Sequence, residues 1–250
     1  MSVLYNPHNE SLYTRQQLHQ LPVPAPLGRF HKPVPFGDFA DAVAYRCEAF
    51  GLEVVADEYA VSHNGNRFFG VLEVDFPDVA SPDWSLQIGV RGSHDQTLPR
   101  GLTLGSRVLV CSNLCFHGEL GTFHTRQTTH VEERLPDLIS RAVEKVPSVA
   151  QRNLERFDAY RKTPLTRRDG DATLVELLRR GALSAPQLAR ARLEWDEPSF
   201  EAHAEDGLTA WRLFNACTQA LKPTGESVNH ELLRQRSLRV SRCLDELVAL

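Results

Sequence analysis

Cysteine is scarce in this chain, with five residues among 250, and the number is odd. A secreted disulfide scaffold has an even set of cysteines at regular spacing, so the sequence indicates reduced thiols. No apolar run approaches the roughly 20 residues that cross a bilayer. Residues 1–10 also lack the basic start and apolar stretch of a secretory signal. We therefore expect a cytoplasmic protein with no membrane partner.

Signature motifs of the common enzyme classes are missing too. The sequence has no glycine-rich phosphate loop, no GxSxG elbow, no HExxH and no paired CxxC. We therefore predict no cofactor. The formal net charge is -4, whereas a protein that coats DNA non-specifically usually carries an excess of Lys and Arg. This balance argues against such a coat but leaves room for a local basic patch.

The pattern that is present changes once along the chain, from strand-like to helical. A first helix is predicted from an N-cap at Asp38 to a stop at Gly51. The strands that follow are predicted at 54–61, 68–76, 84–91, 107–111 and 122–130. Asn64 and Gly65 favour a hairpin turn between the first two strands, and Gly101 and Gly105 mark a connection.

Helical spacing dominates from about residue 135 to the end. Asp171, Ser184 and Asp206 are predicted to begin three of these helices, and Gly181 to end one. Because strands and helices are segregated, the fold class is α+β, with a central antiparallel meander of about five strands, one helix before it and a helical C-terminal half packed on it. The predicted organisation is an extended Pro-rich arm (1–37), an α+β core (38–148) and a helical part (149–250), the last two forming one domain.

Reactive residue types are densest between residues 91 and 130. An enzyme interpretation places a polar site on Ser93, His94, Asp95, Asn113 and His124. Three adjacent residues at a strand end point in different directions, however, and catalytic triads are assembled from separate elements. For residues 93–95 we prefer a turn in which Ser93 or Asp95 bonds nearby backbone N–H groups.

A zinc site is a second interpretation of the same region. Its ligands would be Cys111, Cys115, His117 and His124. The Cys-x3-Cys-x-His spacing is not that of a standard zinc knuckle, and Cys111 ends an apolar strand where a free cysteine packs as a small hydrophobe. We therefore predict no metal and keep the zinc site as the alternative.

A basic patch lies in the helical half. It comprises Arg152, Arg156, Arg161, Lys162, Arg167 and Arg168. With Glu155 and Asp158 the local charge is +4, and such a patch can contact phosphates without reading bases. The alternative is an ordinary solvated helix face. Aromatic residues such as Phe68 or Phe123 are candidates for base stacking.

The stretch RGSHDQTLPRGLTLGSRVLVCSNLCFHGEL (91–120) resembles a bacterial and phage family of unknown function described as phage/plasmid-like protein. HKPVPFGDF (31–39), LPDLISRAV (135–143) and TAWRLFNACTQALK (209–222) are similar to other segments of that family in the same order. The resemblance covers about 29–249. Members often carry a basic residue where this chain has Phe123.

The resemblance implies a link to mobile elements without implying a mechanism. We expect first a nucleic-acid-binding accessory protein, with single-strand annealing or recombination as the fold-level analogy. The alternatives are the enzyme described above and a protein-interaction or homo-oligomeric module in phage or plasmid defence. Salt-dependent DNA binding favours the first, and convergence of three polar side chains in one pocket favours the second.

Overall fold

The computed structural model describes residues 12–62, 64–76, 84–108, 113–115, 122–222 and 230–249. Its strands are β1 (Leu12–Tyr13), β2 (Glu53–Ser62), β3 (Arg67–Asp75), β4 (Trp84–Ser93), β5 (Arg100–Val108), β6 (Asn113–Cys115) and β7 (Thr122–Thr125). Its helices are α1 (Arg15–Leu18), α2 (Phe36–Ala49), α3 (Val131–Val143), α4 (Val146–Lys162), α5 (Arg167–Arg179), α6 (Ala185–Asp196), α7 (Glu201–Glu205), α8 (Ala210–Leu221) and α9 (His230–Val248). The α+β prediction is confirmed.

The strands form one sheet in the order β1-β2-β3-β4-β5-β6, and β7 also pairs with β5. β2 and β3 form the predicted antiparallel hairpin, with Val61 opposite Phe68. Asn64 and Gly65 both have positive φ, at 55° and 87°, so the Asn-Gly turn prediction is confirmed. Strand order along the sheet follows chain order, as expected for a meander.

The bounds of β5 differ most from those of the predicted strands. The sequence predicts a connection at Gly101 and Gly105, but both glycines lie inside a strand that runs from Arg100 to Val108. Gly101 pairs with His124 of β7, and a Cβ on it would lie 3.0 Å from the Phe123 carbonyl oxygen. The glycine therefore allows close strand approach rather than ending the strand. The strand predicted at 107–111 ends at Val108 in β5, and residues 109–112 lie outside the described residues.

The chain divides into two compact units. Unit 1 comprises the described residues of Met1–Ala80, Ser85–Gly105 and Leu120–Val149. In it α2 packs against β2, β3 and α3, and α3 packs against β7. The apolar faces of these elements form its core, which includes Phe39, Val43, Phe68, Leu72, Ile88 and Ile139.

Unit 2 comprises the described residues of Ser81–Trp84, Ser106–Glu119 and Ala150–Leu250. α8 is its central helix and packs against α6, α7 and α9. Trp211 and Phe214 of α8 are 3% and 1% exposed and contact Phe157 of α4 at ring-centroid distances of 5.0 and 5.6 Å. Both aromatic residues therefore belong to the core of unit 2.

Several helices begin at residues other than those predicted. α2 begins at Phe36 after an N-cap at Pro35, so Asp38 lies in its first turn, where a carboxylate favours the helix dipole. Threonine side chains cap α5 and α8, at Thr166 and Thr209, instead of Asp171 and Asp206. Each accepts a hydrogen bond from the amide three residues on. Asp171 instead lies inside α5, and Asp206 is the C-cap of α7.

Other helix signals are confirmed. Ser184 caps α6, and Gly51 and Gly181 have positive φ just after helices end. Within the stretch 1–37, predicted as an extended arm, the described residues include the short elements β1 and α1. No helix among the described residues is long and apolar enough to cross a bilayer.

Gly170 of α5 offers a test of helix packing in unit 2. A Cβ on this glycine would lie 2.4 Å from Cε2 of Trp195, and Trp195 is fully buried. Gly→Ala inside a helix normally stabilises by about 1 kcal/mol. Here we expect Gly170→Ala to destabilise by roughly 1–3 kcal/mol, because the indole has to shift in a packed core. Urea unfolding followed by circular dichroism measures the sign, and a gain in stability would contradict this packing.

Candidate functional site

The Ser93–Asp95 segment forms a tight turn between β4 and β5. Ser93 Oγ accepts a hydrogen bond from the Leu98 amide at 2.8 Å, and Asp95 Oδ1 accepts one from the Thr97 amide at 3.0 Å. Gln96 adopts the left-handed conformation that such a turn requires, with φ 63°. These are the side-chain-to-backbone bonds of the turn interpretation, and they occupy both Ser93 and Asp95.

Asp95 is ionised in a local polar network. Partial burial acts to raise its pKa, but hydrogen bonds from Thr97 and Ser93 and the charge of Arg67 together hold the pKa below its usual value. Arg67 Nε lies 3.7 Å from Asp95 Oδ2 and donates to Thr97 Oγ1 at 3.1 Å. Asp95 therefore links the turn to Arg67, the first residue of β3.

His94 points the other way, into the core of unit 1. Its backbone amide donates to the Asn66 carbonyl at 2.8 Å, and its ring stacks on Phe36 at a centroid distance of 4.1 Å. The side chain is 2% exposed. Burial first, and then the charges of Arg100 and His31, lower the pKa of His94 to about 4. The ring is therefore neutral at physiological pH.

Arg100, the first residue of β5, is fully buried. It lies against Phe36, the ring on which His94 stacks. Its Nη2 donates to the Val34 carbonyl oxygen. The guanidinium carbon lies 4.6 Å from the Phe36 ring centroid, with Phe39 and Phe68 at 5.6 and 5.9 Å. Burial lowers the pKa of Arg100 to about 9, which still leaves it charged at neutral pH. Three aromatic faces supply the cation–π contacts that offset part of its desolvation.

Glycine on the neighbouring strand makes room for this arginine. A Cβ on Gly92 of β4 would lie 2.6 Å from Arg100 Cδ. The close approach of strand backbone and arginine stem is the reason that only glycine fits here.

Gln127 ties the segment before α2 to the turn. Its Oε1 accepts from the Val34 amide at 2.9 Å, and its Nε2 donates to the Ser93 carbonyl oxygen. Its own carbonyl oxygen accepts from the Lys32 amide at 3.1 Å. His31 is held next to this link, 7% exposed, with its Nδ1 accepting from the Leu27 amide at 3.0 Å. His31, His94 and Arg100 constitute what we call the buried cationic cluster.

The residues of the enzyme interpretation do not come together where they are described. Ser93 and Asp95 serve the turn, and His94 enters the core. His124 is exposed on β7 opposite Gly101. Asn113 belongs to β6, but its side chain lies outside the described residues. The four described side chains therefore share no pocket.

The zinc interpretation falls mostly outside the described part of the chain. This applies to Cys111, His117 and the side chain of Cys115. Within the described ranges no group of three or more His, Cys, Asp or Glu is arranged to hold a metal ion.

Arg156 of the basic patch is an internal structural residue of unit 2. It forms a bidentate pair with Asp245 of α9, with Nε–Oδ1 and Nη2–Oδ2 distances of 2.8 and 2.7 Å. Tyr160 Oη donates to the same carboxylate at 2.7 Å. The arginine side chain is 7% exposed. Its assignment to a phosphate-contacting face is therefore corrected: Arg156 joins α4 to α9.

The other patch residues are accessible to different degrees. Lys162 pairs with Asp158 and Arg167 with Asp196, both at 2.6 Å and both on the surface. Arg161 lies 4.5 Å above the Trp211 ring. Arg152 and Arg168 are exposed and have no ion-pair partner among the described residues. Five of the six predicted cations therefore remain at the surface of unit 2.

The two predicted stacking aromatics also differ. Phe68 is fully buried, in contact with Phe36, Phe39 and Tyr59, so its proposed contact with bases is corrected. Phe123 is half-buried on β7.

Sequence reasoning missed Arg100, Gln127 and His31. Arg100 stands between Pro99 and Gly101, two residues that signal a turn, so it was read as part of a loop. A basic residue next to a β-strand gives no sign that it is buried, because burial depends on what packs over it.

Comparison with family models, with curated proteins and with solved structures found no match to this chain.

Proposed function

We propose that the chain is a nucleic-acid-binding accessory protein that contacts the phosphate backbone through one corner of unit 2. This α4–α5 corner consists of Arg161 and Lys162 in the last turn of α4 and Arg167 and Arg168 in the first turn of α5. The concentration of four cations around a four-residue connection is the observation that carries the proposal.

The helix dipole makes the corner attractive to anions. Cations at Arg161 and Lys162 suit the C-terminus of α4, but those at Arg167 and Arg168 face the positive N-terminus of α5. Each such unfavourable placement costs about 0.3–1 kcal/mol. A phosphate at this position offsets that cost, because helix N-termini and arginines both favour anions.

The existing ion pairs do not prevent such binding. Lys162–Asp158 and Arg167–Asp196 are exposed, and exposed pairs contribute only about 0–1 kcal/mol. A phosphate can therefore replace the carboxylate at little cost. Arg168 has no ion-pair partner in the described residues to displace. The contacts are to phosphate, so we expect binding that depends little on base sequence.

Fluorescence anisotropy with labelled single-stranded and duplex DNA tests the proposal. We expect binding at low salt that weakens as salt rises, with single strands preferred if the protein assists annealing. Because each phosphate contact contributes about 0.7 to the slope of log K against log salt for single strands, Arg167→Ala with Arg168→Ala should reduce that slope by roughly 1.4.

The matched control is Arg134→Ala with Arg141→Ala, which removes the same charge from the exposed face of α3 in unit 1. Its salt slope should equal that of the wild type. Absence of binding at low salt, salt-independent binding, or an equal loss in the control would each refute the α4–α5 corner as the contact surface.

A further inference from the structure

The buried cationic cluster of unit 1 has more hydrogen-bond donors than acceptors. Arg100 uses Nη2 on the Val34 carbonyl, while its Nε and Nη1 are buried without a partner. His31 Nδ1 accepts a hydrogen bond, so the proton of the neutral ring is on Nε2, which is also buried and unpartnered. His94 Nδ1 is likewise buried without a hydrogen-bond partner. Buried polar groups are almost always satisfied in native proteins.

In the described part of the chain, no carboxylate forms an ion pair with a member of the cluster. Arg100 has no ion pair among the described residues, although it is fully buried. Asp95 is the acid whose charge acts on His94, and its carboxylate is engaged with Thr97 and Arg67. A buried charge without a counter-ion is strongly unfavourable, and the aromatic faces around Arg100 offset only part of that cost.

The three side chains belong to one place in the fold. Phe36 contacts both the His94 ring and the Arg100 guanidinium. The His94 ring is close enough to Arg100 and to His31 for both to lower its pKa. Gln127 fixes the backbone of the His31 segment to the carbonyl of Ser93, directly before His94.

The N-terminus of α2 adds to the positive field at this place. The helix has 14 residues and begins at Phe36 without a side-chain cap. Asp38, the carboxylate in its first turn, is exposed and paired with His19. The start of the helix at Phe36 lies against His94 and Arg100, so part of the positive end of the helix dipole lies next to the cluster. Histidine, arginine and helix N-terminus together form the donor set that proteins use for anions.

We propose that His31, His94 and Arg100 form an internal binding site for a small oxyanion, a carboxylate or phosphate group, whose oxygens accept from the unpartnered nitrogens. Phe36 and Phe68 pack against the Arg100 guanidinium, so a small anion is favoured over a bulky polar ligand. The site lies in unit 1 and is independent of the proposed DNA contact in unit 2.

Anion binding at this site is coupled to proton uptake. A bound anion favours the charged form of both histidines, so binding tightens as pH falls from 7.5 to 6. The groups facing His94 are Arg100 and His31, which oppose its protonation, and Asp95, which favours it. A bound anion offsets the charge of Arg100 and so favours the protonated form of His94.

Thermal unfolding in a series of anions at constant ionic strength tests the proposal, with inorganic phosphate, acetate and chloride as probes. We expect phosphate or acetate to raise the wild-type Tm in a saturable way, more at pH 6 than at pH 7.5, by the mass-action effect of a ligand bound to the native state. Preference between phosphate and acetate identifies which oxyanion fits. Equal effects of all three anions, without saturation, would overturn the site.

Arg100→Met keeps a long apolar side chain and removes the guanidinium, so the oxyanion effect should disappear or require at least a tenfold higher concentration. Arg141→Met is the matched control, because it removes an exposed cation from α3 of the same unit and should leave the effect unchanged. If Arg100→Met does not fold, the NMR signal of the Arg100 Nε–H in the wild-type protein provides the test instead. That signal should shift with phosphate or acetate, and an unchanged signal at saturating anion would refute the proposal.

Discussion

Arg156→Ala is expected to lower the free energy of unfolding by about 3–5 kcal/mol, the range found when one partner of a buried ion pair is removed. The arginine and aspartate side chains are 7% and 16% exposed. Removal of Arg156 leaves the Asp245 carboxylate with only the Tyr160 hydroxyl as a described side-chain donor. An incompletely paired buried charge is one of the mechanisms by which a single substitution causes a large loss of stability.

Urea unfolding of the variant measures this effect. Arg152→Ala, one turn earlier on α4 and exposed, is the control and should change stability by less than about 0.5 kcal/mol. Replacing both partners, Arg156→Leu with Asp245→Leu, should recover much of the loss, because apolar pairs often substitute well for buried ion pairs. Equal stability of Arg156→Ala and the wild type would show that the pair is not formed.

This result also bears on any DNA-binding experiment. A loss of DNA binding in Arg156→Ala would reflect unfolding of unit 2, not a lost phosphate contact. Substitutions at Arg167 and Arg168, which are exposed, separate the two effects.

Acidification is expected to destabilise the protein by about 3 kcal/mol between pH 6.5 and pH 4 through His94 alone. The pKa of His94 is about 4 in the folded protein and 6.5 without the fold. The unfolded chain therefore takes up a proton first as pH falls, and this favours unfolding. The stabilisation is fully present above pH 6.5 and is lost as the pH falls towards 4.

Burial also lowers the pKa of His31, which adds to the loss in the same direction. Asp95, whose pKa lies below its usual 3.8, contributes stability that is lost only at still lower pH. The pH range 4–6.5 therefore isolates the two buried histidines among the groups with shifted pKa values.

Urea unfolding at a series of pH values, in buffers with little phosphate, carboxylate or chloride, measures the slope. His94→Gln should flatten it, and His130→Gln, at an exposed histidine, should not. An identical slope in the wild type and in His94→Gln would contradict the burial of His94. Added phosphate or acetate should reduce the wild-type slope if the oxyanion site exists, because a bound anion raises the pKa of His94.

The turn at residues 93–98 illustrates how far sequence reasoning reached towards a site. Short polar side chains after a strand predict local hydrogen bonds to the backbone, and Ser93 and Asp95 make them. The burial of His94 was not predicted, because the backbone bonds expected of Ser93 and Asp95 are local and do not indicate what packs on the side chain between them. Its environment is created by Phe36, which is far away in the sequence.

The basic patch shows the same limit. Six cations on neighbouring helical segments were assigned to one surface, but helical spacing alone does not say which face packs. Arg156 is on the packed face of α4, and its partner Asp245 is 89 residues away. Arg152 and Arg168 are on the solvent face of their helices.

The sequence by itself determined the α+β class, the β2–β3 hairpin, the succession of helices and the helix stops at Gly51 and Gly181. These features follow from periodicity, turn chemistry and glycine conformation, which act over a few neighbouring residues. Only the tertiary structure decided that the buried Arg100 guanidinium donates to a carbonyl oxygen 66 residues away. The same holds for the internal ion pair of Arg156 with Asp245. Burial and charge pairing depend on which distant segments meet, and that information is not local.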